Sequence, residues 1–260
     1  MQVNTRYPDQ SSIMAPNGTE PVSHAGGDLR SRSATEQSAE QKWPGSQGEQ
    51  LLQQVYGSQT RAQRFYSDQM TNQLNDQMIE FVGRMEMAFI ATADSSGECD
   101  ASLRSGPPGF IRVLGARQVA YPEYRGNGVM ASLGNISENP HIGILMIDFV
   151  QDLIGLHING KASIHEDATL RAEYPDLPTE FEPGRTPERW VVVSVEEAYI
   201  HCRKHIPKMA PVARTRSWGT DDVKRKGGDY FGVKSQRRTQ TPPACPVQIP
   251  RVAPHPVAGH

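Results

Sequence analysis

Between Ala88 and Cys202 the chain repeats one pattern: short runs rich in apolar and β-branched residues, set apart by glycines, prolines and polar turn residues. The runs are AFIATAD (88–94), CDASL (99–103), GFIRVL (109–114), QVAYP (118–122), HIGILMIDF (141–149), LIGLHINGKASIHED (153–167) and WVVVSVEEAYIHC (190–202). Such runs predict strands, and the SSGE turn between the first two predicts a hairpin. Six or so short strands with few helices between them restrict the fold to an antiparallel barrel or sandwich, mainly β with helices outside the sheet. Continuous apolar stretches such as IGILMIDF and WVVV predict strands buried on both faces, as in a barrel wall that also meets a second subunit.

Upstream, Met70, Leu74, Met78, Phe81, Val82 and Met85 recur every three or four residues and predict an amphipathic helix leading into the core. A methionine stripe of this kind fills gaps between packed elements and is assigned no further role. Residues 1–46, rich in Ser, Gln, Gly, Glu and Pro, bury too little to offset ordering and are expected to be disordered. Residues 47–210 form the expected folded domain, N-terminal helices followed by strands. Residues 211–260 form a C-terminal extension ending in the proline-rich tail TPPACPVQIPRVAPHPVAGH. Within that extension, WGTDDVKRKGGDYFGVK predicts a solvated charge run whose aromatics, Trp218, Tyr230 and Phe231, anchor it to the barrel or across a dimer.

Charge and cysteine usage narrow the class. A formal charge of −2 over 260 residues argues against a general nucleic-acid binder. No apolar run approaches the roughly 20 residues needed to cross a bilayer, and the first residues lack the basic-then-apolar order of a signal peptide, so a cytoplasmic location is expected. Cys99, Cys202 and Cys245 form neither a CxxC pair nor a tetrahedral zinc set, and are expected to be reduced thiols.

The stretch YPEYRGNGVMASLGNISENP (121–140) interrupts the strands with a different chemistry. It gathers a guanidinium (Arg125), amides (Asn127, Asn135), a hydroxyl (Ser132) and glycines 126 and 128, and its second half predicts a short helix ended by Asn139-Pro140. Fixed donors of these kinds, together with free N–H groups at a helix start, are what a dianionic phosphate needs. Read alone, RGNG is more often an ordinary turn with a solvated arginine. His157 and Lys161 alternate with apolar residues on a strand and read as structural. His201, Cys202, Lys204 and His205 share the word YIHCRKHI; on a strand end their side chains diverge, so no metal is expected there.

The order FIATADSSGECDASLRSGPPGF, VAYPEYRGNGVMASLGNISENPHIGILMIDF, GLHINGKASI, VEEAYIHCRKHI resembles the flavin-nucleotide-binding split-barrel family related to pyridoxamine 5'-phosphate oxidase, over roughly residues 47–210. The resemblance implies a six-stranded antiparallel split β-barrel that dimerises and holds one FMN per subunit in a groove at the subunit interface. Where relatives carry GxPxxRxV, this chain has Cys99 at the proline position and Ser102 at the arginine position. Arg104 follows two residues on, on the same strand face as Ser102. Ser105 and Gly106 open the SGPPG turn, a wall for the flavin edge. The resemblance aligns Tyr121 with a flavin-adjacent tyrosine, with Tyr124 beside it. Arg125 takes the place of the arginine in an SRK-like triplet, and Asn127 falls near its lysine. Ser132 and Asn135 lie in an insertion relative to the pyridoxamine phosphate oxidases proper. His201 and Lys204 are implied to line the substrate side.

Two functional classes follow from the resemblance. One is an FMN-dependent oxidoreductase passing hydride through flavin N5, with oxygen or a reduced nicotinamide completing the cycle and a small-molecule substrate left open. The other is a non-catalytic flavin or haem carrier, or a deazaflavin-dependent reductase, on the same fold. The substrate-phosphate word of authentic pyridoxamine phosphate oxidases is missing, which argues against pyridoxal phosphate synthesis.

Overall fold

The computed structural model describes residues 44–213 and 222–237. The chain begins with α1 (Gln47–Val55) and α2 (Gln59–Gln69), then the two-residue strand β1 (Met70–Thr71) and α3 (Asp76–Arg84). Strands β2 (Met87–Ala93), β3 (Cys99–Ser105), β4 (Arg112–Gly115) and β5 (Gln118–Glu123) precede α4 (Ala131–Glu138). There follow β6 (His141–Ile147), β7 (Gly155–Glu166), α5 (Asp167–Glu173), β8 (Arg189–His201) and α6 (Val233–Arg237).

All strands join one antiparallel sheet in the order β3-β2-β6-β7-β8-β5-β4, with β1 added alongside β8. The count is eight where the sequence predicts six: β1 is too short to leave a periodic signal. The hydrogen-bonded path does not close, and β3 and β4 are its two ends. This open, mainly antiparallel sheet with flanking helices is consistent with the split-barrel fold.

Local chemistry explains the elements. The expected hairpin is present, with Ala93 opposite Cys99. Asp94 Oδ1 accepts from the backbone N–H groups of Ser96 and Glu98 at 2.8 and 2.9 Å, fixing its turn. The expected helix over Met70–Met85 is confined to Asp76–Arg84, because Asn75 caps it (Met78 N to Asn75 Oδ1, 2.9 Å) and Met70 is drawn into the ladder opposite Tyr199. Of the predicted apolar residues, Phe81 and Val82 are buried on the helix itself, Leu74 and Met85 are buried just outside its two ends, and Met78 is partly buried.

The two longest strands, β7 and β8, pair along their whole length with one bulge between Asn159 and Gly160. A Cβ on Gly160 would sit 2.0 Å from the Ser194 carbonyl oxygen, so the bulge admits only glycine. Residues 190–193 of β8 are buried on both faces, as WVVV suggests. Val191 and Val193 enter the main core, while Trp190 and Val192 enter a second cluster with Leu170 of α5 and Leu177. What covers that outer face is this chain's own helix and loop. IGILMIDF departs from expectation. Its burial alternates along β6, with Ile142, Ile144 and Met146 inward and Leu145 and Ile147 only partly covered.

The predicted disordered segment lies outside the described residues up to 43, as do Trp218, Cys245 and the proline-rich tail. Tyr230 and Phe231 are exposed and pack edge-on against each other, so neither anchors its segment to the barrel. No described helix is long and apolar enough to cross a membrane.

Candidate functional site

A groove of about 790 Å³ opens between the β3 edge, the loop after β5, the first turn of α4, and Glu188–Arg189. Six of the residues singled out in the sequence line it: Ser102, Arg104, Tyr124, Arg125, Asn127 and Ser132. The volume falls within the range of small-molecule sites.

β3 supplies the floor. Strand alternation turns Asp100, Ser102 and Arg104 to one face. Arg104 Nη1 donates to Ser102 Oγ at 2.9 Å, Ser102 and Ser132 hydroxyls lie 3.0 Å apart, and Ser132 donates to Asp100 Oδ2 at 3.1 Å. Ser132 has one proton and gives it to Asp100, so Ser102 is the donor in the middle contact. The chain therefore runs in one direction, from guanidinium to carboxylate. Arg104 also directs Nε and Nη2 to Glu123 Oε1 at 2.9 and 2.6 Å.

α4 supplies one wall, held by a stripe of three side chains. Ser132 bonds to β3, Asn135 Nδ2 donates to Thr92 Oγ1 of β2 at 3.0 Å, and Glu138 accepts from Ser95 Oγ at 2.8 Å. Asn135 thus serves to seat the helix and does not line the groove. The helix start is left open to the groove: Met130, its left-handed N-cap (φ 55°), makes no side-chain cap bond. Asn127 shapes the approach, its Oδ1 accepting from Val129 N at 3.0 Å, and Gly128 sits at φ 84°, where a side chain is disfavoured. Arg125 is exposed on the groove.

Two tyrosines and a missed arginine form the inner support. Tyr121 is fully buried, 5.9 Å from ring centroid to the Arg104 guanidinium, and its hydroxyl has no partner among the described residues. Burial, reinforced by Glu123 and opposed by Arg104, raises its pKa. The Tyr124 hydroxyl is likewise buried without a partner among the described residues; burial first, with Arg185 opposing and Glu182 and Glu123 adding, pushes it up to about 12. Arg185, nearly inaccessible, lies 4.5 Å over the Tyr124 ring, pairs with Glu182 at 3.0 Å and donates to the Ser105 carbonyl.

The remaining candidates lie elsewhere. Ser105 contributes its carbonyl to Arg185, and Gly106 is packed so tightly on Phe110 that a Cβ would meet that side chain at 2.3 Å. His201 lies at the end of β8 opposite Gly155, with its Nδ1 3.0 Å from His157 Nε2, and Lys204 is exposed in the following 3-10 turn. Neither lines the groove. His157 stacks on Tyr199 at 4.7 Å; burial, then His201, lowers its pKa.

Asp100, Glu123 and Arg185 are absent from the sequence reading. Asp100 was accessible to it, since it shares a strand face with Ser102 and Arg104; Glu123 and Arg185 reach the site through the fold alone. Ionisable groups lining the groove balance: Asp100, Glu123 and Glu188 against Arg104, Arg125 and Arg189. The groove's overall field therefore favours neither sign of charge.

The family model described as pyridoxamine 5'-phosphate oxidase matches residues 74–202, which contain every strand from β2 to β8. No curated protein matches the chain. Among solved structures, HupZ from Group A Streptococcus is 18% identical, covering 53% of this chain and 99% of that one at a TM-score of 0.36. A conserved hypothetical protein from Mycobacterium tuberculosis is 14% identical, covering 57% and 99% at 0.37. HutZ, the haem storage protein from Vibrio cholerae, is 15% identical, covering 49% and 94% at 0.33.

Proposed function

Since the chain is related to the pyridoxamine 5'-phosphate oxidase family, we propose that it is a flavin-nucleotide-binding protein, an FMN-dependent oxidoreductase whose cofactor phosphate enters the groove beside α4. One observation carries this reading: Arg104, Arg125, Ser102 and Ser132 converge at the uncapped start of α4. Guanidinium groups, hydroxyls and helix-start N–H groups are the donors a phosphate dianion requires.

The donors for the phosphate are Arg125, Asn127, the α4 N–H groups and Arg104, whose Nε–Nη2 edge Glu123 holds. FMN, when bound, supplies hydride transfer at N5. The chain's own residues would hold its phosphate and position its ring.

Partner and setting belong to the same proposal: a homodimer, cytoplasmic, using a small-molecule substrate and a nicotinamide or oxygen as redox partner. The outer sheet face supports a second copy, since the register partners Phe89 and Leu103 stay 42% and 56% exposed beside Leu145. Oxidoreductase and carrier are separated by mixing the flavin-loaded protein with reduced nicotinamide dinucleotides without oxygen. Bleaching is expected. Persistent colour would leave binding standing and remove the reductase half of the proposal, and a haem Soret band in place of flavin absorbance would move the cofactor.

A further inference from the structure

We propose that Glu123 is an internal competitor for the cofactor's phosphate, holding Arg104 until the phosphate displaces it and then passing to Arg189. This rests on the flavin-nucleotide reading above and concerns how that same groove is regulated.

The Arg104–Glu123 pair joins strands that are not neighbours in the sheet: β3 is one end of the hydrogen-bonded path and β5 lies next to the other. Its two side chains are only 18% and 14% exposed, and Nε and Nη2 of Arg104 both point at one carboxylate oxygen. A guanidinium edge of this kind matches a carboxylate or a phosphate equally well, and two anions cannot share it. Nη1 is turned away to Ser102. A phosphate that takes the Nε–Nη2 edge of Arg104, which presents two parallel donors, displaces Glu123 from it.

The exchange is confined to a side chain. Glu123 closes the β5–β8 ladder opposite Arg189, and its carbonyl accepts from Glu188 N at 2.9 Å, so its backbone is fixed. Directly opposed residues on antiparallel strands share a face at about 5 Å between Cβ atoms. Arg189 lines the same groove and, among the described residues, pairs with the solvated carboxylates of Glu166 and Glu188, at 3.2 and 3.4 Å. A displaced Glu123 carboxylate consequently has a cation within reach and is not left buried without a partner. A ligand lacking phosphate has no means to drive the exchange, because nothing in it competes for Arg104.

The test is a binding titration of FMN and of riboflavin, which lacks the phosphate, against the unaltered protein and Glu123→Gln. Removing the competing charge should tighten FMN about tenfold and leave riboflavin unmoved. Unchanged or weaker FMN binding in the variant, or an equal gain for riboflavin, overturns the role of Glu123 while leaving the flavin reading intact. If neither protein binds either flavin, the flavin reading fails and this inference falls with it. A second measurement needs no substitution: the Arg104 Nε–H resonance of the unaltered protein should shift on adding FMN and stay in place on adding riboflavin. A resonance that ignores FMN overturns the exchange.

Discussion

Arg84 Nη1 lies 2.7 Å from Asp148 Oδ2, and this contact fastens the last turn of α3 to the turn between β6 and β7. Asp148, 5% exposed at its side chain, also accepts from the backbone N–H groups of Val150, Gln151 and Asp152. Burial raises its pKa, but these backbone donors and Arg84 outweigh burial and bring it down to about 2, from 3.8. A carboxylate depressed in the folded state stabilises above its unfolded pKa, and that contribution is lost as pH falls from 3.8 towards 2. The shift corresponds to roughly 2 kcal/mol. Urea unfolding at pH 6 and at pH 2.5 should show this loss, and Asp148→Ala should forfeit about 3 kcal/mol at neutral pH. A variant as stable as the unaltered protein would remove this turn from the account of the fold.

α4 separates structural from binding roles. Asn135→Ala loses the bond to Thr92 and should lower stability by about 1 kcal/mol with FMN affinity unchanged. Arg125→Ala should instead weaken FMN by roughly 1.5–3 kcal/mol. Calorimetry on both variants decides. If Asn135→Ala weakens FMN as strongly as Arg125→Ala, the helix stripe is itself part of the cofactor contact.

Two glycines should respond in opposite directions. Gly160→Ala forces a Cβ against the Ser194 carbonyl at 2.0 Å and should cost roughly 3 kcal/mol or more. Gly134→Ala adds its Cβ to open space in the middle of α4 and should stabilise by about 0.5–1 kcal/mol. Thermal melts of the two proteins read both effects.

The His157–His201 pair predicts an acid weakness near neutrality. His157 has its pKa lowered by burial and by His201, so below the unfolded value of 6.5 the unfolded chain binds more protons and stability declines. Above 6.5 the contribution is fully present. Unfolding free energies at pH 7.5 and 5.5 should differ for the unaltered protein and converge for His157→Gln; an undiminished difference in the variant would place the sensitive group elsewhere.

Much of the fold was legible because it follows from local pattern. Alternating or continuous apolar runs mark strands, and their ends lie at polar turns such as Asp94–Glu98, which carries its own hydrogen bonds. What escaped depends on non-local pairing. Met70 looks helical until Tyr199 draws it into a ladder, and the buried face of Trp190 depends on α5 folding back over it. The site divides in the same way. Arg125 and Ser132 are readable from residue type, Ser102 and Arg104 from the family resemblance together with strand period, and they do share one groove. Glu123 and Arg185 acquire their positions only when β5 and the 174–188 segment are laid against β3, and His201 is removed from the groove by where β8 ends.

The central claim, a groove that binds FMN, is tested most directly by the absorbance of the purified protein before and after addition of FMN and removal of the excess by gel filtration. The account predicts a flavin spectrum that saturates at one FMN per chain. A protein that stays colourless after FMN is added and the excess removed would contradict it.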